Sequence, residues 1–233
     1  PVPDRLQTPR LVLRCYRPED APLLKAAIDQ SLARLRPWMP WARKEPTPVA
    51  VLAERLATFA ASYAEGTEWM LGIFARDEDR LLGGTGLHRR GPDHVLEIGY
   101  WIRTGEEGRG YATEAVAALR AQARGVPGIT HVRICCDPRN QRSAAVAERL
   151  GFTSLGVTAC VDPEADPDRL DTLTYEWSLS ESHTRLPASQ HPIIEPVLGQ
   201  AAVMTPPGSC TWVSEIWASS MGAAGLTRPT FCL

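Results

Sequence analysis

Between Glu107 and Glu114 the chain reads Glu-Gly-Arg-Gly-Tyr-Ala-Thr-Glu. A strand-like run, Val95 to Ile102, precedes it, and apolar residues at helical spacing (Ala112, Ala115, Val116, Leu119, Ala123) follow. Two glycines and a cation therefore sit where a strand turns into a helix. The first N–H groups of a helix lack intrahelical acceptors, and its dipole is positive at that end. The junction is an anion site of the kind that cradles a phosphate: glycine lets the main chain approach closely, and Arg109 adds charge. Along the preceding strand, alternation sets Glu97, Gly99 and Trp101 on one face and the core-like Leu96, Ile98, Tyr100 and Ile102 on the other. Glu97 is expected on the less apolar side beside Trp101, where partial desolvation raises a carboxyl pKa. Asn140 to Ser143 reads as a helix start, with Asn at the N-cap and Ser at N3.

The run Gly108-Arg-Gly-Tyr-Ala-Thr-Glu-Ala115 resembles the acyl-CoA pyrophosphate loop of the GNAT N-acetyltransferases. The family pattern Gln/Arg-x-x-Gly-x-Gly/Ala falls here on Glu107, Gly110 and Ala112, with Glu107 a departure. Asn140-Gln-Arg-Ser143 followed by Glu148-Arg-Leu-Gly-Phe152 is similar to a second signature of that superfamily. Thr8-Pro-Arg-Leu-Val-Leu-Arg14 and Arg36-Pro-Trp-Met-Pro-Trp41 resemble its branch of ribosomal-protein-alanine N-acetyltransferases. The resemblance runs from about Thr8 to about Leu179. It implies an α+β class, the GNAT acyl-CoA N-acyltransferase fold with a mixed central sheet flanked by helices. It also implies acetyl-CoA as acyl-donor cosubstrate, with direct transfer to a primary amine: a protein N-terminus, an amino acid or a small amine. By resemblance, Tyr100, Trp101, Ile102 and Arg103 contact the pantetheine arm. Gly108, Arg109, Gly110, Tyr111, Ala112 and Thr113 hold the pyrophosphate, Asn140 bonds the pantetheine or its strand, and Ser143 adjoins the sulfur.

Such a transfer needs a deprotonated amine, whose free pKa lies about three units above neutral. It also needs donors for the developing oxyanion and a proton, or a stabilising environment, for the departing thiolate. Glu97 is the candidate base, against the alternative that it pairs with a neighbouring arginine such as Arg89. His88 and Glu68 are further candidates. Ser143 is the candidate proton donor to sulfur, because the Ala147-Glu-Arg-Leu150 stretch lacks the Tyr that many relatives carry. The departure at Glu107 and that missing Tyr leave a rival reading, a catalytically degenerate acyl-CoA sensor or scaffold. Trp38, Trp41 and Trp101, with Trp69, are candidates for an apolar wall around the acceptor. The acidic run from Asp162 to Asp171 borders the acceptor side by resemblance, and a solvated loop explains it as well. Cys135 and Cys136 point to opposite faces of a strand, so one of them can reach a cleft, and buried packing is the expectation for both.

The elements that position these groups follow from periodicity and punctuation. Arg10 to Arg17 alternates as a strand, and Glu19-Asp-Ala-Pro22 is expected to begin a helix. Thr47-Pro48 reads as N-cap and N1 of a second helix that stops at Gly66. Thr67 to Ala75 and Leu81 to Arg89 form a hairpin about Asp77 to Arg80, and the central strand and phosphate loop follow. A strand over His131 to Cys136, a helix from Asn140 to Gly151 and a last hairpin, Phe152 to Cys160 with Leu170 to Leu179, complete the order β-α-α-β-β-β-α-β-α-β-β. The chain has 233 residues and a net charge of −2, which argues against a polyanion partner through bulk charge. Six cysteines without a C-x-x-C pair give no zinc motif and suggest reduced thiols. No stretch of eighteen apolar residues or signal-peptide layout is present, so a cytoplasmic protein without nucleic-acid or membrane partners is expected, as monomer or homodimer. Residues 1–180 are read as one acetyltransferase domain and 181–233 as a Pro-containing, poorly ordered extension.

Overall fold

The computed structural model describes residues 2–159 and 171–179. The acidic run at 162–170, Cys160, Cys210, Cys232 and the 181–233 extension lie outside the described residues. Eight strands form one sheet: β1 (Arg5–Gln7), β2 (Leu11–Cys15), β3 (Glu68–Ala75), β4 (Leu81–His88), β5 (Val95–Ile102), β6 (His131–Cys136), β7 (Thr153–Ala159) and β8 (Asp171–Ser178). Their spatial order is β1-β2-β3-β4-β5-β6-β8-β7. Neighbouring strands are antiparallel except β5 and β6, which run parallel. Helices α1 (Ala21–Leu35), α2 (Val49–Glu65), α3 (Tyr111–Ala123) and α4 (Gln141–Arg149) cover the sheet.

Each face of the sheet carries its own core. Leu11, Leu13, Leu71, Ile73, Leu96 and Ile98 pack with Ala115, Val116 and Leu119 of α3 and Val146 of α4. Val12, Met70, Phe74 and Trp101 pack on the other face with Leu24 and Ile28 of α1 and Leu52, Leu56 and Phe59 of α2. The alternation of β2 and β5 therefore splits between two buried layers, as expected of a sheet covered on both sides. Glu97 does not face a solvated side: it is 5 % exposed, on the α1/α2 face.

Three local expectations are corrected. Strand β1 is too short to leave a periodic signal, and it exists through pairing of Leu6 with Leu13. Helix α2 begins at Val49 with Pro48 at the N-cap, one residue later than its spacing implies. Thr47 instead donates its N–H to Glu45, and its hydroxyl accepts from Arg55. Asp20 ends a 3₁₀ turn, Pro18–Asp20, and is held by the Arg14 guanidinium at 2.7 and 2.8 Å.

One feature of the sheet bears directly on ligand binding. The β5–β6 ladder pairs Val95, Leu96 and Glu97 with His131, Val132 and Arg133 and then stops. Beyond it β6 continues along β8, from Ile134↔Tyr175 to Cys136↔Leu173. Strand β5 continues along β4 to Gly83↔Ile102. The two central strands part, leaving a seam with an unpaired edge.

Candidate active site

The loop entering α3 is built as its glycines imply. Gly108 and Gly110 adopt φ of 77° and 81°, the left-handed region that glycine enters without penalty. Gly110 is the α3 N-cap, with no side-chain cap, and the first helical bond runs from the Glu114 N–H to the Gly110 carbonyl. The N–H groups of Tyr111, Ala112 and Thr113 thus end the helix without an intrahelical partner. Arg10 clamps the loop from β2's leading edge: its Nε bonds Glu114 at 2.7 Å, and its Nη1 donates to the Arg109 carbonyl at 2.7 Å. Thr8 and the Arg10 N–H complete the grip on Glu114. Burial pushes that carboxyl up, but these hydrogen bonds and the Arg10 charge outweigh it and hold it below its ordinary range.

Glu107, the departure in the loop pattern, turns its carboxylate back. It accepts from the Gly105 N–H at 2.7 Å and lies 3.5 Å from Arg34. Its charge is therefore partly met within the loop. The groove beside α3 is lined by six arginines (Arg10, Arg34, Arg109, Arg139, Arg142, Arg149) and three glutamates (Glu106, Glu107, Glu114), an excess of positive charge. Free helix-end N–H groups, glycines that keep side chains off the main chain, and this excess fit a pyrophosphate.

The seam fits an extended amide-bearing arm. Along a strand, N–H and C=O of one residue point to the same side, and the side alternates. The Arg103 N–H bonds the Leu82 carbonyl, and the Gly99 carbonyl accepts from Thr85. Odd-numbered β5 residues therefore spend their main chain on β4, whereas Tyr100 and Ile102 present theirs to the seam. Two expected contacts are corrected here. Arg103 lies away from the groove, with its side chain on Gln30 of α1 at 2.8 Å. Trp101 contributes its indole rather than its backbone.

A second cavity opens on the other side of the seam, and Trp38, Met39, Tyr100, Trp101, Asn140 and Ser143 line both it and the groove. At this junction the Tyr100 hydroxyl lies 2.8 Å from Ser143 Oγ. Asn140 caps α4 through its Oδ1, which accepts from the Ser143 N–H at 3.2 Å. Burial raises the Tyr100 pKa, with the Ser143 hydrogen bond opposing it, so the phenol stays protonated at neutral pH. The Tyr absent from α4 thus has a counterpart on β5, which sequence reasoning assigned only a main-chain role.

The second cavity is walled by Tyr16, Trp38, Met39, Trp41, Met70 and Trp101, with Trp41 and Trp101 edge-to-face at 6.1 Å. Trp69 packs into the α3-side core instead. The strand glycines Gly84 and Gly99 form part of the cavity lining. A Cβ on Gly84 would meet the Trp101 indole nitrogen at 2.6 Å and the Tyr16 hydroxyl at 2.9 Å. The Gly-Gly-Thr-Gly run inside β4 was the signal for this hollow, since strand glycine marks close approach. Cys135 and Cys136 both line the cavity at the parted edge of β6, Cys135 half-buried and Cys136 buried within the α3-side core.

Glu97 lines this cavity, and its partner is Arg90, at 3.1 Å with both side chains 7 % exposed. Arg89 projects over the Trp69 ring instead, at 5.5 Å. His88 lies between Glu68 and Glu97 in cross-strand register, and its Nδ1 is hydrogen-bonded to Glu68 Oε2.

Comparison with known proteins agrees with this geometry. The acetyltransferase (GNAT) domain family matches residues 10–153. The [ribosomal protein uS5]-alanine N-acetyltransferase of Escherichia coli (strain K12) is 28 % identical over 154 residues, spanning 65 % of this chain and 79 % of the relative. The structure of RimL, a ribosomal L7/L12 alpha-N-protein acetyltransferase in complex with coenzyme A, superposes with a TM-score of 0.66 at 22 % identity, covering 76 % of this chain and 97 % of that one. The microcin C7 self-immunity acetyltransferase MccE, in complex with acetyl-CoA and AMP, gives a TM-score of 0.65 at 19 % identity, covering 74 % and 94 %. These relatives favour catalysis over the binding-only rival. With the family matched across most of the described residues, and the loop, seam and cavity arranged for the same cosubstrate, the chain belongs to the GNAT acetyltransferases and is an acetyl-CoA-dependent N-acetyltransferase.

Proposed function

We propose that the acceptor is the α-amine of a peptide N-terminus whose first residue is small and uncharged. The observation that carries this reading is the shared lining of groove and cavity. Acetyl-CoA supplies an activated acetyl group, and a thioester at that lining would meet an amine arriving through the cavity. The aromatic walls favour a small apolar side chain, and the Glu68 carboxylate behind His88, which lines the cavity, favours an ammonium. The relatives named for ribosomal-protein N-termini support the same class of acceptor.

In this reading Gly108 to Thr113 hold the pyrophosphate, with the Arg109 guanidinium nearby. Tyr100 and Ile102 bond the pantetheine amides. Ser143, hydrogen-bonded to the neutral Tyr100 phenol, donates a proton to the leaving sulfur, and the capped α4 N-terminus favours negative charge there. The test is a thiol-release assay with acetyl-CoA and a panel of Ala- and Ser-initiated peptides, free amino acids and aminoglycosides, with products identified by mass. Peptides with small first residues are expected to give the highest kcat/KM. A preference for aminoglycosides or free amino acids would overturn the acceptor class.

A further inference from the structure

We infer that His88, held by Glu68, is the general base that deprotonates the incoming ammonium, while Glu97 is engaged in an ion pair. The inference deepens the acetyl-transfer reading and rests on it.

Glu68, His88 and Glu97 are successive register partners across β3, β4 and β5, on the face that lines the acceptor cavity. His88 is 1 % exposed, and its Nδ1 meets the Glu68 carboxylate. An ionised carboxylate only accepts, so Nδ1 carries the proton and Nε2 keeps its lone pair. Among the described residues Nε2 makes no hydrogen bond. It lies over Gly86, where a Cβ would approach it to 3.0 Å, and beside Met70. This is a base oriented by a third group, with its reactive nitrogen left open. Glu97, by contrast, is neutralised by Arg90.

The electrostatics favour the same assignment. With His88 neutral, Glu68 leaves the cavity one negative charge, which attracts an ammonium. Transfer of one ammonium proton to Nε2 creates an imidazolium facing that carboxylate, so charge separation is small. The freed amine then attacks the acetyl carbonyl, and the N–C bond forms as the C–S bond breaks. The second nitrogen proton passes to the Ser143 and Tyr100 pair as that pair protonates the sulfur, so both hydroxyls end as they began. The His88 proton returns to solvent when product leaves, a balance of one proton released per acetyl group transferred. Glu68, with 18 % of its side chain exposed, adjoins that solvent.

The titratable groups that share the cavity or the strand row with the imidazole are Glu68 on β3, Glu97 on β5 with Arg90, Tyr16 beyond β2, Tyr100 on β5, Cys135 and Cys136 on β6, and Asp137 beyond it. The experiment measures kcat/KM against pH for wild type, His88→Gln, Glu68→Gln and Glu97→Gln, with acetyl-CoA affinity by calorimetry in each. His88→Gln should lower kcat at least about 100-fold and remove the acid limb, with acetyl-CoA Kd within about twofold of wild type. Glu68→Gln should move the acid limb to lower pH, because the imidazolium loses its counter-charge; a merely structural role would not move it. Glu97→Gln should retain the limb. A limb that persists in His88→Gln, or disappears only in Glu97→Gln, overturns the assignment. Should the His88 and Glu68 variants not fold, nitrogen NMR of wild-type histidine decides: Nδ1-protonated His88 supports the inference, and Nε2-protonated His88 overturns it. Absence of acetyl-CoA binding in wild type would instead sink the acetyl-transfer reading.

Discussion

Gly110 shows how a single residue type limits the chemistry. Its φ of 81° is costly for any side chain, about 1–2 kcal/mol for an L residue, and a Cβ there would approach Arg10 Nη2 to 3.3 Å. Arg10 is the residue that ties Glu114 to the loop. Gly110→Ala should therefore raise the acetyl-CoA KM at least tenfold while kcat at saturation falls much less; an unchanged KM would remove Gly110 from the phosphate site. Ser143 and Tyr100, proposed to act on the leaving group, share one hydrogen bond. Ser143→Ala and Tyr100→Phe should each lower kcat about 10–100-fold with KM preserved, and the double variant should lose less than the product of the two. Steady-state kinetics on the four proteins measures that coupling.

Elements place these residues, and the segment carrying Trp41 is the most exposed to disruption. It is a 3₁₀ turn, Pro40–Lys44, ending on Glu45, which pairs with Arg55 of α2 at 3.1 Å with side chains 2 % and 4 % exposed. Removing one partner strands the other charge in the core. Arg55→Ala should cost about 3–5 kcal/mol and loosen the tryptophan wall, seen as a lower thermal midpoint together with a raised acceptor KM. Much at this scale was legible beforehand. Gly66, in the left-handed conformation, ends α2; Asn140 caps α4; Leu173, Tyr175 and Trp177 of β8 share the α3-side core. The row Glu68–His88–Glu97 was not, because its register crosses three strands and a bulge near Ile73 and Phe74. A strand's own period states which residues share a face but not which residues of other strands stand beside them. The choice between Arg89 and Arg90 for Glu97 was hidden for the same reason: both follow the end of β4, and one projects to each side of the sheet.

For the molecule as a whole, both cores are assembled, among the described residues, from residues no later than Leu179. We therefore propose residues 1–180 as the catalytic domain: a chain ending at residue 180 should melt cooperatively and bind acetyl-CoA within about threefold of the full chain. Loss of either would assign the C-terminal segment a part in the fold. Stability should also carry a defined acid limb. Burial raises Asp20, but hydrogen bonds from Arg14 and the Arg17 N–H outweigh it; Glu78 is lowered by hydrogen bonds from Arg5 and Arg14. With Glu114, these carboxyls have folded pKa values below their unfolded ones. Their contribution is thus complete above about pH 4–4.5 and is lost as pH falls through the depressed folded values. Urea midpoints against pH should hold level from neutral to about pH 5 and then decline, and Asp20→Asn should flatten the decline.

The short ladder between β5 and β6 has one more consequence. Among the described residues that ladder is three residue pairs, extended at its start by bonds from the Thr130 and His131 N–H groups to the His94 carbonyl, so a cosubstrate bonded along the open edge would work as mortar between the two sections of the sheet. Loading would tighten the whole barrel-less wall of strands, and at a hundredfold excess over Kd mass action adds about 2.7 kcal/mol. Amide protons flanking the gap should then exchange more slowly in the charged enzyme than in the empty one, making turnover a cycle of setting and loosening.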